Sequence, residues 1–356
     1  YKYKYKYKYK WRVIMSKYSE MLKFKEEEYR NSAKLIGEAK PIAEEIANIV
    51  TKDGFSNIFF TAVGGSLAPL MAMGEIAKQL TELPVYVEQA AELIVRGHKA
   101  LTEKSLIITL SKSGDTKETV EMAKKYKEMG IRVISCTKNL ESPLAKNSNY
   151  VIPMRHENGV EYEYMLLFWL FFKILSNRGE FLDYNDFGNQ LLLLPENLLE
   201  AKLQFDPQAK EMAKQYYKEP YMIWIGGGEV WGETYLFSMC LLEEMQWLKT
   251  KSVTSSEFFH GTLEIVEEDT CVFLVKGSGK TRALDDRAEK FLKKYTKKLS
   301  IIDTLDFKLN GIDEKYRWII APTIASTVLV DRLAFHFEDN TKHSLDIRRY
   351  YRQFDY

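Results

Sequence analysis

Residues 104–130 read KSLIITLSKSGDTKETVEMAKKYKEMG. Within them, 106–110 is a short apolar run rich in branched residues, the pattern of a buried strand in a parallel sheet. The run breaks into Ser111-Lys112-Ser113-Gly114-Asp115-Thr116, a hydroxyl-rich turn. From Lys117 a helix is predicted: Val120, Ala123, Tyr126 and Met129 recur at three-residue spacing, Glu121 can pair with Lys125, and Gly130 stops it. A strand feeding a helix through such a turn suits an anion. The first backbone N–H groups of the helix lack partners inside it, and the helix dipole adds partial positive charge. Ser111, Ser113 and Thr116 add hydroxyl donors, and Gly114 lets the backbone approach a ligand closely. A helix cap needs one such side chain, not hydroxyls at three of six positions, so the turn is read as a phosphate cradle.

A related turn lies upstream. Residues 58–63 form an apolar strand, Gly64-Gly65-Ser66 follows, and 69–80 is helical in pattern. Ser-Lys-Ser-Gly-Asp-Thr resembles the Ser-x-Ser-Gly-[Glu/Asp]-Thr loop of sugar isomerase (SIS) domains, which bind phosphosugars on a flavodoxin-like, doubly wound α/β sheet. In that family the serine of the first strand–helix turn also contacts the phosphate. The resemblance therefore nominates Ser66, Ser111, Lys112, Ser113 and Thr116 as phosphate ligands, with Gly65 at the pocket.

The chain has 356 residues and is 46% hydrophobic, enough for two domains with real cores. A net charge of +1 gives no argument for a nucleic-acid or membrane partner. Cys136, Cys240 and Cys271 are widely spaced in apolar surroundings. They read as free buried thiols in a reducing, cytoplasmic setting, without metal-ligand spacing. No signal peptide is visible. The longest apolar run, 164–175 (YMLLFWLFFKIL), falls short of the roughly 20 residues that span a bilayer and reads as a buried helix, with a subunit interface as one place for it. Residues 1–14, with five Tyr-Lys repeats, read as an artefactual tail before a natural start at Met15. Without their five lysines and Arg12 the chain is mildly acidic.

Residues 15–50 are expected to be helical, with Ala33, Ile36, Ile42, Ile46 and Ile49 on the apolar face and Pro41 opening a new helix. Strands at 58–63, 85–88, 106–110, 132–137 and 150–153 alternate with helical or polar connections, the pattern of a parallel sheet covered on both faces. Ligands on such sheets sit outside the carboxyl ends of strands, where both turns fall. The acidic stretch 157–163 reads as a solvated helix start, the alternative being a site for an amino group on the substrate. A connection at 183–203, containing Pro195, marks the domain boundary. The pattern then restarts: strand 221–225, Gly226-Gly227-Gly228, helix 231–248, strands 253–255 and 270–275, a basic helix 284–299, and strands 300–303 and 318–321. The expected fold is thus two tandem flavodoxin-like doubly wound parallel-sheet domains, 15–195 and 196–356. Lys276-Gly277-Ser278-Gly279-Lys280-Thr281 lacks the earlier glycine of a nucleotide P-loop, since Phe273 and Leu274 still belong to a strand; it reads as a basic surface turn.

The second domain carries Ser256-Glu257-Phe258-Phe259-His260-Gly261-Thr262-Leu263. This resembles the Gly-Glu-x-x-His-Gly-Pro-Leu segment of the amino-sugar branch of the SIS family. That branch includes the isomerase half of glucosamine-6-phosphate synthase and the fructoselysine- and glucoselysine-6-phosphate deglycases. The family histidine reaches a neighbouring subunit's site and helps open the sugar ring, which nominates His260, with Glu257 beside it as a pocket candidate. The family base is a glutamate sixteen residues upstream, and that position is Glu244. Ser256 and Thr262 depart from the pattern in ways that alter backbone rather than chemistry. In the synthases a C-terminal lysine forms an imine with the open sugar; aligned on Arg348, that position here is Arg352, whose guanidinium stays protonated and cannot do so. The Asp-x-Arg-Arg-Tyr-Tyr ending resembles the deglycases, whose substrate brings its own nitrogen, and makes Arg348 and Tyr351 pocket candidates.

The resemblance implies a 6-phosphorylated ketosamine as substrate. Glu244 would move a proton from C1 to C2, and water would split the product into hexose 6-phosphate and free amine; a carboxylate suits this where burial raises its pKa. It implies no metal or other cofactor, and a homo-oligomer, at least a dimer, with a shared active site. The rivals are a glucosamine-6-phosphate deaminase, an aldose–ketose phosphosugar isomerase and, from another class, a non-catalytic phosphosugar-binding regulator.

Overall fold

The computed structural model describes residues 16–157 and 159–355; the 1–14 tail and Met15 lie outside the described residues. Residues 16–25 form turns, not the continuous helix expected from 15, and Lys23 sits at φ +55°, which breaks a right-handed helix. Helix α1 (Glu26–Gly37) begins with three glutamates, which favour a helix N-terminus. Helix α2 (Lys40–Asp53) opens with Pro41, as its sequence predicts. Its buried face is Ala43, Ile46, Ala47 and Val50, whereas Ile42 is 40% exposed: the true stripe is rotated by one position from the expected one.

The first sheet contains β1 (Asn57–Ala62), β2 (Val85–Gln89), β3 (Ser105–Leu110), β4 (Arg132–Thr137) and β5 (Tyr150–Pro153). All pairs are parallel and the order is β2-β1-β3-β4-β5. Helices α3 (Leu67–Leu80), α4 (Ala90–Arg96), α5 (Lys117–Glu128) and α6 (Pro143–Lys146) return the chain. Strands β1 and β3 are buried along their whole length, which is why they read as unbroken apolar runs. The order reverses between them, and that switch point is where such sheets bind ligands.

The long apolar run lies in α7 (Tyr162–Asn177), buried on nearly every side within this one chain. Phe168 and Phe172 pack there with Phe181 and Phe187, so the run is a core helix rather than a subunit interface. The 183–203 connection is also helical: α8 (Tyr184–Gln190) leads to α9 (Leu194–Tyr216), with Pro195 in the first turn, where a missing N–H is tolerated.

The second sheet orders β6 (Met222–Gly226), β7 (Thr250–Thr254), β8 (Cys271–Lys276) and β9 (Lys298–Asp303) as β7-β6-β8-β9, again parallel. Helix α10 (Trp231–Tyr235) runs through a π-helical segment, Leu236–Glu243, into α11 (Glu244–Gln246), and α12 (Arg282–Tyr295) follows β8. The strand expected at 318–321 is instead part of α13 (Arg317–Val328). A short apolar run does not distinguish a core strand from a core helix, and this one continues as buried helix beyond Pro322. A second π-helical segment, Leu329–Leu333, joins α13 to α14 (Ala334–Thr341). The stretch Glu314–Thr341 is long and apolar enough to cross a membrane, yet 78% of its most apolar window is buried inside the fold.

The protein is therefore two tandem flavodoxin-like lobes, and one hydrophobic cluster runs through both. At their junction α10 lies against α3 so closely that a Cβ on Gly232 would stand 2.2 Å from the Ala68 carbonyl oxygen.

Candidate active site

A cavity of about 490 Å³ opens at the switch point of the first sheet. Gly64, Gly65, Ser66 and Thr116 line it from the first lobe, and Glu233, Cys240, Glu244 and Ser326 from the second. Gly114 has φ +71°, and a Cβ there would meet Ser142 Oγ at 2.2 Å, so the turn admits only glycine at that position. Ser66 and Thr116 hold the positions that precede α3 and α5, yet neither hydroxyl caps its helix. Both residues line the cavity. Ser111 is buried behind them, with its Oγ 3.1 Å from Thr116 Oγ1 and accepting the Gly114 N–H at 3.2 Å. The other two nominated ligands point elsewhere. Lys112 Nζ donates to the Glu157 carbonyl at 3.0 Å, and the exposed Ser113 hydroxyl donates to Asp115. That hydroxyl, aided by Arg352, holds the Asp115 carboxyl below its usual range.

Glu244 follows directly on the π-helical segment, a feature frequent at functional sites because it re-aims side chains within a helix. Its Oε1 accepts the Arg348 Nε–H at 2.8 Å. Three residues on, Tyr351 lines the cavity, and Arg352 Nη2 reaches Asp115 Oδ1 at 3.3 Å. The C-terminal segment therefore ties Glu244 of the second lobe to the phosphate-type turn of the first. A second groove, of about 590 Å³, shares Glu244 and Tyr351 and extends past Trp247 and Lys249. Glu257 and His260 occupy a short 3-10 turn after β7; both are exposed and neither lines this chain's cavity.

The acidic stretch before α7 is only partly the solvated helix start expected of it. Glu157 is exposed, but Glu161 and Glu163 are buried. Glu161 accepts from Lys202 Nζ at 2.6 Å, and Asp331 shares that lysine. Glu163 lines the cavity, and burial pushes it up to about 7 against the pull of Lys112. His156 lies 3.8 Å away, but burial drives it down to about 3, so its ring is neutral. Glu233 on α10 belongs to no motif in the sequence. It is 1% exposed, its Oε1 accepts the Tyr164 hydroxyl at 2.5 Å, and its Oε2 has no hydrogen-bond partner. Burial pushes it up to about 8, with Tyr164 and Ser326 opposing. The available signal was a lone acid inside the apolar run WGETYLFSMCLL.

The equivalent turn of the second lobe is already filled. At the β6/β8 switch point the N–H groups of Ser278 and Gly279 donate to Glu229 Oε1 at 2.8 and 2.6 Å. The segment 276–281 is thus not the free basic surface turn it resembles: Gly277 is buried, its N–H donates to Asp285, and Lys276 is buried between Asp286 and Glu289. An internal carboxylate stands where the first lobe presents open hydroxyls. Among the described residues, no group of three or more His, Cys, Asp or Glu is placed to hold a metal ion.

The SIS domain family matches residues 55–172. Fructosamine deglycase FrlB of Bacillus subtilis is 31% identical over 310 residues, covering 84% of this chain and 92% of that protein. Fructoselysine 6-phosphate deglycase of Escherichia coli is 22% identical over 318 residues, covering 89% and 92% respectively. Among solved structures, a Bacillus subtilis protein provisionally described as a phosphosugar isomerase superposes with a TM-score of 0.84 at 29% identity, over 90% of this chain and 99% of that one. The C-terminal domain of glucosamine-fructose-6-phosphate aminotransferase from Francisella tularensis gives 0.76 at 15% identity over 90% and 97%, a likeness of fold.

Proposed function

The chain belongs to the SIS-domain phosphosugar family, and we propose that within it the protein is a deglycase of 6-phosphorylated ketosamines such as fructoselysine 6-phosphate. The observation that carries this reading is that Glu244, Ser66 and Thr116 line one cavity, with neither the Ser66 nor the Thr116 hydroxyl capping its helix. The substrate phosphate sits at Ser66 and Thr116 and the start of α5, with Ser111 holding the Thr116 hydroxyl in place. Ser113 and Lys112 join at the rim by exchanging their present partners for phosphate oxygens. The sugar then extends towards Glu244.

Glu244 removes a proton from C1 of the open-chain ketosamine, and a proton returns at C2. The nitrogen gives up its proton as the C1–N bond becomes C=N, and the C2 carbonyl oxygen takes one up to become a hydroxyl, so no external oxidant or reductant enters. Water adds to C1 of the resulting imine, the C–N bond breaks, and glucose 6-phosphate and the free amine leave. Arg348 orients the Glu244 carboxylate. His260, exposed in its own chain, assists ring opening in the site of a second copy, which requires a dimer or a larger assembly.

Incubation with fructoselysine 6-phosphate tests this by following glucose 6-phosphate and lysine together. Equal release is expected, falling at least ~100-fold in Glu244→Gln. Ligand binding without turnover would favour a regulator instead, and ammonia release from glucosamine 6-phosphate a deaminase.

A further inference from the structure

We propose that Glu163 and Glu233 together form a site for an ammonium group, so that the cavity selects amine-bearing sugar phosphates over their hydroxyl counterparts. The proposal deepens, and rests on, the reading of this cavity as a ketosamine phosphate site. The two carboxyls reach it from different lobes, Glu163 from the first turn of α7 and Glu233 from α10. They are 8% and 1% exposed, both residues line the cavity, and the Oε2 of Glu233, itself buried, is left without a hydrogen bond. Neighbouring Glu161 shows what this protein does with a buried carboxylate that it neutralises itself: Lys202 stands 2.6 Å away. No ion pair to Lys or Arg is made by Glu163 or Glu233 among the described residues. Around them are neutral His156, the hydroxyls of Tyr164 and Ser326, and the acidic Glu161, with Lys112 acting on Glu163 from further off.

A buried, unneutralised carboxyl is costly in its charged form, and both are accordingly held near neutrality in their titration. A cation entering the cavity reverses that balance. The nitrogen of a ketosamine is an amine, protonated near pH 7, attached at the carbon on which Glu244 is proposed to act. Leu236, Cys240 and Leu241 wall the same cavity and are buried, so the attraction is weakly screened. Fructose 6-phosphate presents a neutral hydroxyl at that carbon and leaves both carboxyls as they are.

Equilibrium calorimetry on the intact protein, with 1-amino-1-deoxysorbitol 6-phosphate and sorbitol 6-phosphate, which lack the C2 carbonyl and so are not turned over, separates the two ideas. At pH 7 the amine is expected to bind at least about tenfold more tightly. That preference should fall towards unity in Glu163→Gln and Glu233→Gln, with affinity for sorbitol 6-phosphate kept within about twofold, and should persist in Glu244→Gln. Repeating the wild-type titrations in buffers of different ionisation enthalpy adds a reading that needs no variant: a change in proton uptake or release specific to the amine is expected as the carboxyls ionise. Equal wild-type affinity for the two ligands, an unchanged preference in both Gln variants, an equal loss for both ligands, or identical proton exchange overturns the ammonium site while leaving the sugar-phosphate site standing. Failure of either ligand to bind the wild type overturns the underlying reading as well.

Discussion

Glu163, Glu233 and Asp285 hold their protons to about pH 7, 8 and 7, because burial disfavours the charged carboxylate. In the unfolded chain they ionise near their ordinary values, so the native state binds more protons over the span between. Stability from such groups is complete below the unfolded pKa and is lost as pH rises through the folded one. His156, buried neutral with its pKa driven down, has the opposite sign but acts only below its ordinary value of 6.5. The thermal midpoint of the unliganded protein should therefore fall between pH 6.5 and about 9, and Glu233→Gln should flatten the fall. Scanning calorimetry across that range checks this; a midpoint that rises with pH would contradict it. Candidate residues could be nominated where they travel with a motif: Glu244 is nominated by its spacing from His260. Glu233 has no such companion. A solitary acid in an apolar helix has no periodic signature, and what it faces is set by the other lobe.

Among the elements, the close approach of α10 to α3 is the contact most exposed to a single change. A side chain on Gly232 collides with the Ala68 backbone, which cannot swing aside as a flexible side chain would. Gly232→Val is expected to destabilise the fold by roughly 1–3 kcal/mol, or to part the two lobes and open the cavity between them. Denaturant unfolding, read beside sugar-phosphate affinity, distinguishes this from a local effect: both should fall together, and unchanged stability would show that the helices do not need the contact. Strand and helix positions were largely readable, because short apolar runs that end in glycine- or hydroxyl-rich turns, and 3.6-residue patterns, are local properties. The π-helical segments before Glu244 and through Asp331 were not readable, since nothing in Leu236–Glu243 departs from an ordinary apolar helix. The helix at 318–321, where the sequence predicts a strand, has a related cause: burial on every side removes the alternation that separates strand from helix.

At the scale of the whole molecule, the C-terminal segment closes the arrangement, with Arg348 on Glu244, Tyr351 at the cavity and Arg352 on Asp115. His260 stands outside this circuit, exposed on the second lobe. If it serves a second copy's site, two inactive proteins should repair one another. Glu244→Gln and His260→Ala, unfolded together and refolded as a mixture, should recover about a quarter of wild-type deglycase activity, since half the dimers are mixed and each mixed dimer holds one intact site. Activity no greater than the sum of the separate variants would place both residues in one subunit's site.

Neighbours within a few residues were enough to specify the parallel strands, the turns at their carboxyl ends, and hence the tandem doubly wound fold with a phosphate-type turn in its first lobe. Those features depend on local periodicity and turn chemistry, which the order of residues carries directly. Three matters needed the folded chain: the burial of Glu161, Glu163 and Glu233, the filling of the second lobe's turn by Glu229, and the reach of the C-terminal segment back to Asp115. Each joins residues tens to hundreds of positions apart. Whether a carboxyl is solvated, paired or left facing a cavity depends on which distant surface packs against it.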